Sequence, residues 1–155
     1  MDLKLSTKGK YGLKAMFELA LSSNGEPVSL KYIAKKQGIS DQYLEQIFSI
    51  LKKAELVKSV RGAQGGYYIS KEASEITVAD ILKVLEGDMA FTECLLDKDL
   101  CGNFDSCATK YVWAKIKESI EEVTNSISLQ DMIDDYKSNF KYRDDDIIKD
   151  MKKNK

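Results

Sequence analysis

The sequence of 155 residues contains no histidine. Histidine is the side chain used most often as a general acid or base near neutral pH, and it is a common metal ligand. No nucleophile in the chain stands beside an identifiable base, so the sequence offers no catalytic constellation. We therefore expect a protein that is not an enzyme. Any metal site must therefore draw on cysteine and on a carboxylate, another oxygen, a backbone group or a residue of a partner.

Proline and long apolar runs are also scarce. Pro27 is the only proline, which is typical of a mostly helical protein. No stretch approaches the roughly 18 apolar residues of a membrane span, and the N-terminus (MDLKLSTKGK) has no apolar signal-peptide core. With 43% hydrophobic and 32% charged residues, the composition indicates a globular chain. We expect a cytoplasmic protein with no membrane partner.

The charge is unevenly distributed although the net charge is only −1. Residues 1–70 hold 11 Lys and Arg against 6 Asp and Glu, whereas residues 71–155 hold 13 against 19. A basic first half is what attraction to nucleic-acid phosphates requires. The charge pattern therefore favours nucleic-acid contact by the first half, and ordinary variation in surface charge is the alternative.

The middle of the first half has the element order of a winged helix-turn-helix. Two helices on either side of a glycine turn precede a hairpin with a glycine-rich tip, and their predicted bounds are 29–37, 40–54, 57–61 and 67–70. Such folds place the second helix in the DNA major groove and the hairpin on the flanking backbone or minor groove. The sequence thus predicts double-stranded DNA as the partner.

Further helices flank this segment. The first is predicted from about residue 7, with an apolar face of Leu13, Met16, Phe17, Ala20 and Leu21. A fourth is predicted over 78–86, between a capping Thr77 and Gly87. The fold class is mainly α with a small β-hairpin, a winged helix-turn-helix plus a long dimerisation helix. We divide the chain into a DNA-binding domain (1–87), a cysteine-containing sensor loop (88–106), the long and last helices (107–140) and a charged tail (141–155).

The long helix, predicted from Cys107 to Ser126, carries one apolar stripe. Its members are spaced by three or four residues: Val112, Ile116, Ile120, Val123 and Ile127. A single exposed helix with such a stripe needs a cover, and the same helix of a second subunit is a natural one. We expect a homodimer, and docking on its own domain is the alternative.

The outward face of helix 40–54 carries the side chains expected to recognise bases. Glutamine can pair with adenine, and glutamate can accept from cytosine N4. Glu45 could instead form a surface pair with Lys52 or Lys53, and Arg61 could enter a minor groove, bind phosphate or remain solvated. The expected DNA-binding residues are Ser40, Gln42, Tyr43, Glu45, Gln46, Lys53, Arg61, Gly65 and Gly66.

All three cysteines of the chain lie close together, as Cys94, Cys101 and Cys107 with the spacing C-x6-C-x5-C. Three thiols in one loop do not make a disulfide scaffold. Their clustering favours a shared soft-metal site, an iron–sulfur cluster or zinc. Three ordinary surface thiols are the alternative.

Taken together, these segments resemble the Rrf2 family of bacterial transcription regulators, and within it the members that bind an iron–sulfur cluster. KLSTKGKYGLKAMFELAL opens the chain, ISDQYLEQIFSILKKAELVKSVRGAQGGYYIS occupies its centre, and the cysteines follow the fourth helix. YLEQIF and SVRG followed by GGY are specific in combination. The resemblance covers residues 1 to about 130.

The resemblance implies a homodimer, crossed through the long helix, that binds imperfect DNA palindromes. The family's base-recognising Glu and Gln fall on Glu45 and Gln46, and its wing arginine on Arg61. In cluster-binding members the thiolate ligands fall on Cys94, Cys101 and Cys107, so the implied cofactor is an iron–sulfur cluster of the 2Fe–2S type.

Two departures from the family pattern concern the cluster. The usual spacing is C-x5-C-x5-C, and here the first gap has one more residue. The histidine that completes the site in some members falls near Lys110, and the acidic ligand that others draw from the partner's first helix falls near Lys10. Lysine is not a normal cluster ligand. Glu93, Asp97, Asp99 and Asp105 are the nearby carboxylates that could substitute.

The sequence therefore predicts a transcription regulator whose DNA affinity depends on an iron–sulfur cluster or on the redox state of three cysteines. One alternative is a thiol sensor without metal, in which the cysteines form disulfides or adducts. Another is a cluster-free regulator controlled by a partner enzyme of cysteine synthesis, as the resemblance implies for some family members.

Overall fold

The computed structural model describes residues 4–89 and 92–139, and for Glu93 the backbone alone. Helices and one antiparallel hairpin follow one another as α1 (Thr7–Ser22), α2 (Leu30–Gln37), α3 (Asp41–Lys53), β1 (Val57–Val60), β2 (Gly66–Ile69), α4 (Val78–Glu86), α5 (Lys110–Ser126) and α6 (Leu129–Asn139). This mostly helical fold with a small hairpin confirms the predicted fold class. The predicted tail from residue 141 lies outside the described residues.

Serine and threonine caps determine where the first helices begin. Ser6, Ser29, Ser40 and Thr77 each accept a hydrogen bond through the side-chain oxygen from the backbone N–H three residues later. This bond satisfies one of the N–H groups that have no partner inside the helix. Gly38 ends α2 in the left-handed region, at φ 64° and ψ 36°, which glycine adopts without steric cost. Together these residues determine the turn between α2 and α3.

The core forms where α1, α2, α3 and α4 meet. Leu44, Ile47, Phe48 and Leu51 of α3 are fully buried, as predicted, and Ile33 and Ala34 of α2 are buried too. The prediction of which face of α1 is buried was only partly right. Its buried centre is Gly12, Ala15, Met16 and Leu19, while Leu13 and Ala20 are partly buried. The face is rotated because the small residues Gly12 and Ala15 allow close helix contact, with a Leu85 methyl filling the space beside Gly12.

The wing is attached to the helices at its base. The Val57–Ile69 and Val60–Gly66 pairs define the register, and the strands end one residue earlier than predicted. Val28 and Tyr67 exchange backbone hydrogen bonds of 3.0 and 2.9 Å, and the Tyr67 ring meets Phe48 edge-on with 4.9 Å between centroids. The hairpin is therefore held against α3 by both backbone and core contacts.

The long helix begins three residues later than predicted, at Lys110 instead of Cys107. Cys107 has an extended backbone (φ −80°, ψ 113°) because it follows the last of three short 3₁₀ turns: Glu93–Leu95, Lys98–Leu100 and Phe104–Ser106. None of the α5 residues is buried. Its apolar side chains line an open groove that includes Val112, Ile116, Ile120 and Val123, with Val112 45% and Val123 55% exposed.

Helix α6 returns to the core beside α1. Its first turn is closed reciprocally, since Asp131 accepts from the Ser128 N–H and hydroxyl while the Ser128 oxygen accepts from the Asp131 N–H. Leu129 and Ile133 are buried, and Tyr136 meets Phe17 edge-on at 5.5 Å. Among the helices in residues 4–89 and 92–139, none is both long and apolar enough to cross a membrane.

Gly66 gives a stability prediction. A Cβ at this position would lie 2.5 Å from the Val28 carbonyl oxygen, which is held in place by the hydrogen bonds with Tyr67. We expect Gly66→Ala to lower the free energy of unfolding by about 1–3 kcal/mol in urea titrations, the range for inserting a methyl group into a packed site. Gly102→Ala is the matched control, because no atom of the described residues lies within 4 Å of a Cβ at Gly102. An equal effect of both substitutions would contradict the packing argument.

Candidate nucleic-acid interface and cysteine loop

The outer face of α3 presents a row of exposed polar side chains. Gln42, Glu45, Gln46 and Lys53 are all exposed, on the side of the helix opposite its buried stripe. Glu45 makes no ion pair with any described residue, so the predicted alternative of a pair with Lys52 or Lys53 is absent from the structure. The row is therefore available for contacts outside the protein.

Two of the predicted DNA-binding residues also have contacts inside the protein. The Ser40 hydroxyl accepts from the Tyr43 N–H at 3.2 Å, which caps α3. The Tyr43 ring is half-buried and meets Tyr11 of α1 edge-on, with 6.1 Å between centroids. Lys14 lies over the Tyr11 ring, with its Nζ 5.8 Å from the ring centroid. Sequence reasoning missed Tyr11 and Lys14, which lie beside the exposed row of α3.

The wing tip exposes Arg61 immediately after β1. Gly65 and Gly66, which were also predicted to contact DNA, have a structural role there. A Cβ at Gly65 would collide with the Val60 carbonyl oxygen, and the Gly65 N–H donates to the Gly62 carbonyl at 3.0 Å. These glycines thus shape the tip that carries Arg61.

A groove of about 560 Å³ lies between the start of α2 and the wing tip. It is lined by polar groups that include Ser29, Tyr32 and Gln64. Lys36 lies over the Tyr32 ring, with its Nζ 5.9 Å from the centroid. Tyr32 and Gln64 were not identified from the sequence, because only the folded hairpin brings residue 64 next to α2.

Exposed lysines surround these elements on α2, α3 and β1. Lys31, Lys35, Lys36, Lys52, Lys53 and Lys58 are all exposed, and none makes an ion pair with a described residue. Unpaired cations around a helix and a hairpin match the requirements of a phosphate backbone. Six lysines of the first half thus stand exposed on α3 itself and on the two elements that flank it along the chain.

The three cysteines lie along the segment between α4 and α5. All three are half-buried free thiols. Cys94 is 3.0 Å from the Thr92 hydroxyl, and Cys107 is 3.2 Å from the Thr109 hydroxyl. Cys101 follows the second 3₁₀ turn, and its N–H donates to the Lys98 carbonyl at 3.5 Å. Each cysteine is therefore associated with a different 3₁₀ turn, since Cys94 lies in the first turn and Cys101 and Cys107 follow the second and the third.

Comparison with known proteins relates this geometry to a family. Residues 5–135 match the family model Rrf2, described as an iron-dependent transcriptional regulator. The chain belongs to the Rrf2 family. The match spans the helix-turn-helix, the wing, the cysteine loop, α5 and the first turns of α6, and it confirms the resemblance seen in the sequence.

Relatives in this family include regulators named CymR and IscR. The regulator CymR of Bacillus subtilis is 43% identical over 130 residues, covering 84% of this chain and 89% of its own. The regulator IscR of Photorhabdus laumondii is 40% identical over 131 residues, covering 84% and 79%. Among solved structures, T. potens IscR is 52% identical, covering 87% of this chain and 89% of its own with a TM-score of 0.71. These relatives are transcriptional regulators, so the chain is an Rrf2-type regulator and not an enzyme.

The described side chains do not form a preassembled site for a cluster. No group of three His, Cys, Asp or Glu side chains within the described residues lies close enough to hold a metal ion. Of the substitute carboxylates, Asp97 accepts from the Asp99 N–H at 3.0 Å, and the side chain of Glu93 lies outside the described atoms. The donor types suit a cluster, whereas their arrangement in this structure does not.

Lys110, near which the resemblance places the family's histidine, lies over an aromatic ring. Its Nζ is 4.4 Å from the Phe104 centroid, and Lys98 lies over the same ring at 5.6 Å. Cation–π contact of this kind holds a lysine without an acidic partner. Phe104 thus links the 3₁₀ turns of the loop to the first residue of α5.

Cys107 has the environment of a reactive thiol. A hydrogen bond from the Thr109 hydroxyl, and bonds from the backbone N–H groups of Lys110 and Thr109, lower the pKa of Cys107. Such donors favour the thiolate, which is the nucleophile and the metal ligand. The start of α5 therefore stabilises the charged form of the last cysteine.

This environment predicts the pH profile of Cys107 alkylation. The lowered pKa means that Cys107 becomes a thiolate at a lower pH than an ordinary cysteine does. Because Thr109→Val removes the hydrogen bond that lowers this pKa most, we expect the substitution to raise the pKa of Cys107. The iodoacetamide rate at Cys107 in metal-free protein, followed by mass spectrometry, should then shift to higher pH. Thr92→Val, beside Cys94, is the control and should leave the Cys107 profile in place. An unchanged profile in Thr109→Val would refute the assignment.

Proposed function

We propose that this Rrf2 regulator binds an imperfect DNA palindrome as a homodimer, with α3 in the major groove and Arg61 of the wing on the backbone or in the minor groove. The observation that carries this proposal is the exposed row of α3, which is rigidly backed by its buried stripe and free of ion pairs with described residues. Gln42, Glu45 and Gln46 contact base edges, and Lys53 and the surrounding lysines contact phosphates. Its place of action is the cytoplasm.

The homodimer is supported by the open groove of α5. A helix of 17 residues with no buried position and an apolar stripe is unusual unless another surface covers it. Pairing of α5 with its copy buries that stripe in a two-fold arrangement, and a two-fold dimer matches a palindrome. In this proposal residues 1–87 bind DNA, 88–106 sense the signal, and 107–140 hold the dimer together.

We further propose that the chemical state of Cys94, Cys101 and Cys107 modulates DNA affinity. Support for an iron–sulfur cluster comes from the iron-dependent family description and from the IscR relatives. If a cluster of the 2Fe–2S type is bound, the three thiolates hold it, and the loop must first bring them together. Because the loop joins α4 to α5, its rearrangement would alter the placement of the two α3 helices in a dimer.

A second candidate is regulation without metal, by oxidation of the thiols. The hydrogen bonds around Cys107 favour it, since a stabilised thiolate is the form that reacts with oxidants. A structure of Staphylococcus aureus CymR in an oxidized form, 35% identical with a TM-score of 0.67, is among the similar folds. Control by a partner enzyme of cysteine metabolism is a third possibility, which co-purification would reveal.

Base recognition can be tested at Gln46. We expect Gln46→Ala to relax base preference at one position of each half-site, at a cost of about 1–3 kcal/mol for the preferred base, because paired hydrogen bonds to that base are lost. Mobility shifts over a set of half-site variants at fixed salt measure this change. Lys53→Gln is the comparison. It should weaken binding to all half-site variants equally and reduce the salt dependence of binding, because it removes a phosphate contact. If Gln46→Ala instead weakens binding to all half-site variants equally, Gln46 contacts the DNA backbone and not a base.

The state of the cysteine loop can be tested by purification without oxygen. If a cluster is bound, the protein contains stoichiometric iron and sulfide with visible absorption, and Cys101→Ala loses them. Ser106→Ala, next to Cys107 but without a thiol, is the control and should retain them. A colourless, metal-free wild type that binds the palindrome would reject the cluster and leave oxidation of the thiols or a partner protein as the signal.

A further inference from the structure

A second cavity lies away from the exposed row of α3 and from the cysteines. It is open to solvent on one side, has a volume of about 720 Å³ and is bordered by the end of α1, the end of β2, the following 3₁₀ turn (Ala73–Glu75) and α6. Volumes of about 300–1,000 Å³ are usual for small-molecule sites. Its apolar wall includes Ala20, Ile69 and Ile133.

The wall of this cavity holds a polar atom that has no partner among the described residues. Ser70 Oγ is buried and makes no hydrogen bond with any of them, although Ser70 lines the cavity. A buried hydroxyl left unsatisfied costs free energy, and most such groups in folded proteins have a partner. The hydroxyl is closed off from solvent, so a rotation about χ1 between staggered positions is the movement that would let it bond a ligand.

Charged groups of both signs line the same cavity. Lys71 and Lys137 supply two ammonium groups, and Glu72 and Glu75 supply two carboxylates. None of the four forms an ion pair with a described residue. Glu75 is held in place because its carboxylate accepts from the Glu72 N–H at 3.3 Å. The lining therefore has a net charge of zero but offers separate partners to an anion and to a cation.

We propose that this cavity binds a small zwitterion of the amino-acid type. Its carboxylate would pair with the lysines, its ammonium group with the glutamates, and its side chain would lie on the apolar wall. A ligand of one sign would leave the opposite charges of the lining unmatched. Binding at this site does not depend on whether α3 recognises DNA, so the test needs no DNA.

The cavity also touches the wing. Ile69 is the last residue of β2, and the Ser70 N–H donates to the Leu56 carbonyl at 3.0 Å, which closes the base of the hairpin. A ligand at Ser70 would therefore rest on the same backbone that holds the wing. This contact makes the site suited to an effector, a consequence that rests on the proposed DNA-binding function.

The experiment is calorimetric titration of the full chain with each of the L-amino acids in turn. We expect one or a few to bind and to raise the Tm by about 5 °C or more when present at about a hundredfold excess over Kd. The N-acetylated and the decarboxylated forms of the binding amino acid should each bind at least tenfold more weakly. The proposal is overturned if none of the amino acids binds. It is also overturned if either derivative binds as tightly as the amino acid itself.

Variants locate the site. Ser70→Ala and Lys137→Gln should each weaken binding at least fivefold, and Ser70→Ala should leave the Tm of the free protein unchanged or slightly higher because it removes an unsatisfied hydroxyl. Lys83→Gln on α4, outside this cavity, is the control and should bind as the wild type does. Wild-type affinity in both site variants would place the ligand elsewhere and overturn the proposal.

Discussion

The burial of one side of α3 is the constraint on which the rest of the structure depends. Leu44, Ile47, Phe48 and Leu51 are removed from water by α1, α2, α4 and the wing, and this burial is the dominant driving force for folding. A helix so fixed cannot rotate about its axis. The same packing that stabilises the domain therefore directs the row from Gln42 to Lys53 outward.

The wing depends on the same contact. Tyr67 joins the hairpin to Phe48 through its ring and to Val28 through its backbone, so the hairpin is held against α3 and the start of α2. Gly66 allows this approach, because a larger residue would collide with the Val28 carbonyl. Helix α3, which we propose recognises bases, and the arginine of the wing tip are thereby held in a fixed relation, as binding to two adjacent grooves of DNA would require.

The second half of the chain has a different physical character. Its loop is held by local 3₁₀ turns, by threonine contacts to two thiols and by lysines over Phe104, and α5 buries none of its side chains. Elements held by few buried contacts change conformation at low free-energy cost. A segment of this kind, which joins the packed helices α1–α4 to the exposed apolar helix α5, is suited to the role that we propose for it, in which the chemical state of the cysteines alters the spacing of two subunits.

Local signals in the sequence determined the helices, their caps and the outward row of α3. Serine caps, the left-handed Gly38 and the spacing of Leu44, Ile47, Phe48 and Leu51 act over one or two turns, so they can be recognised without the fold. The exposed positions of Gln42, Glu45 and Gln46 follow from that spacing alone. Only the tertiary structure decided which face of α1 is buried, that Tyr43 packs on Tyr11, and that Gly66 is needed beside Val28. It also decided that Ser70, Lys71 and Lys137 border one cavity. These features depend on contacts between residues far apart in the chain, and such contacts leave no periodic pattern in the sequence.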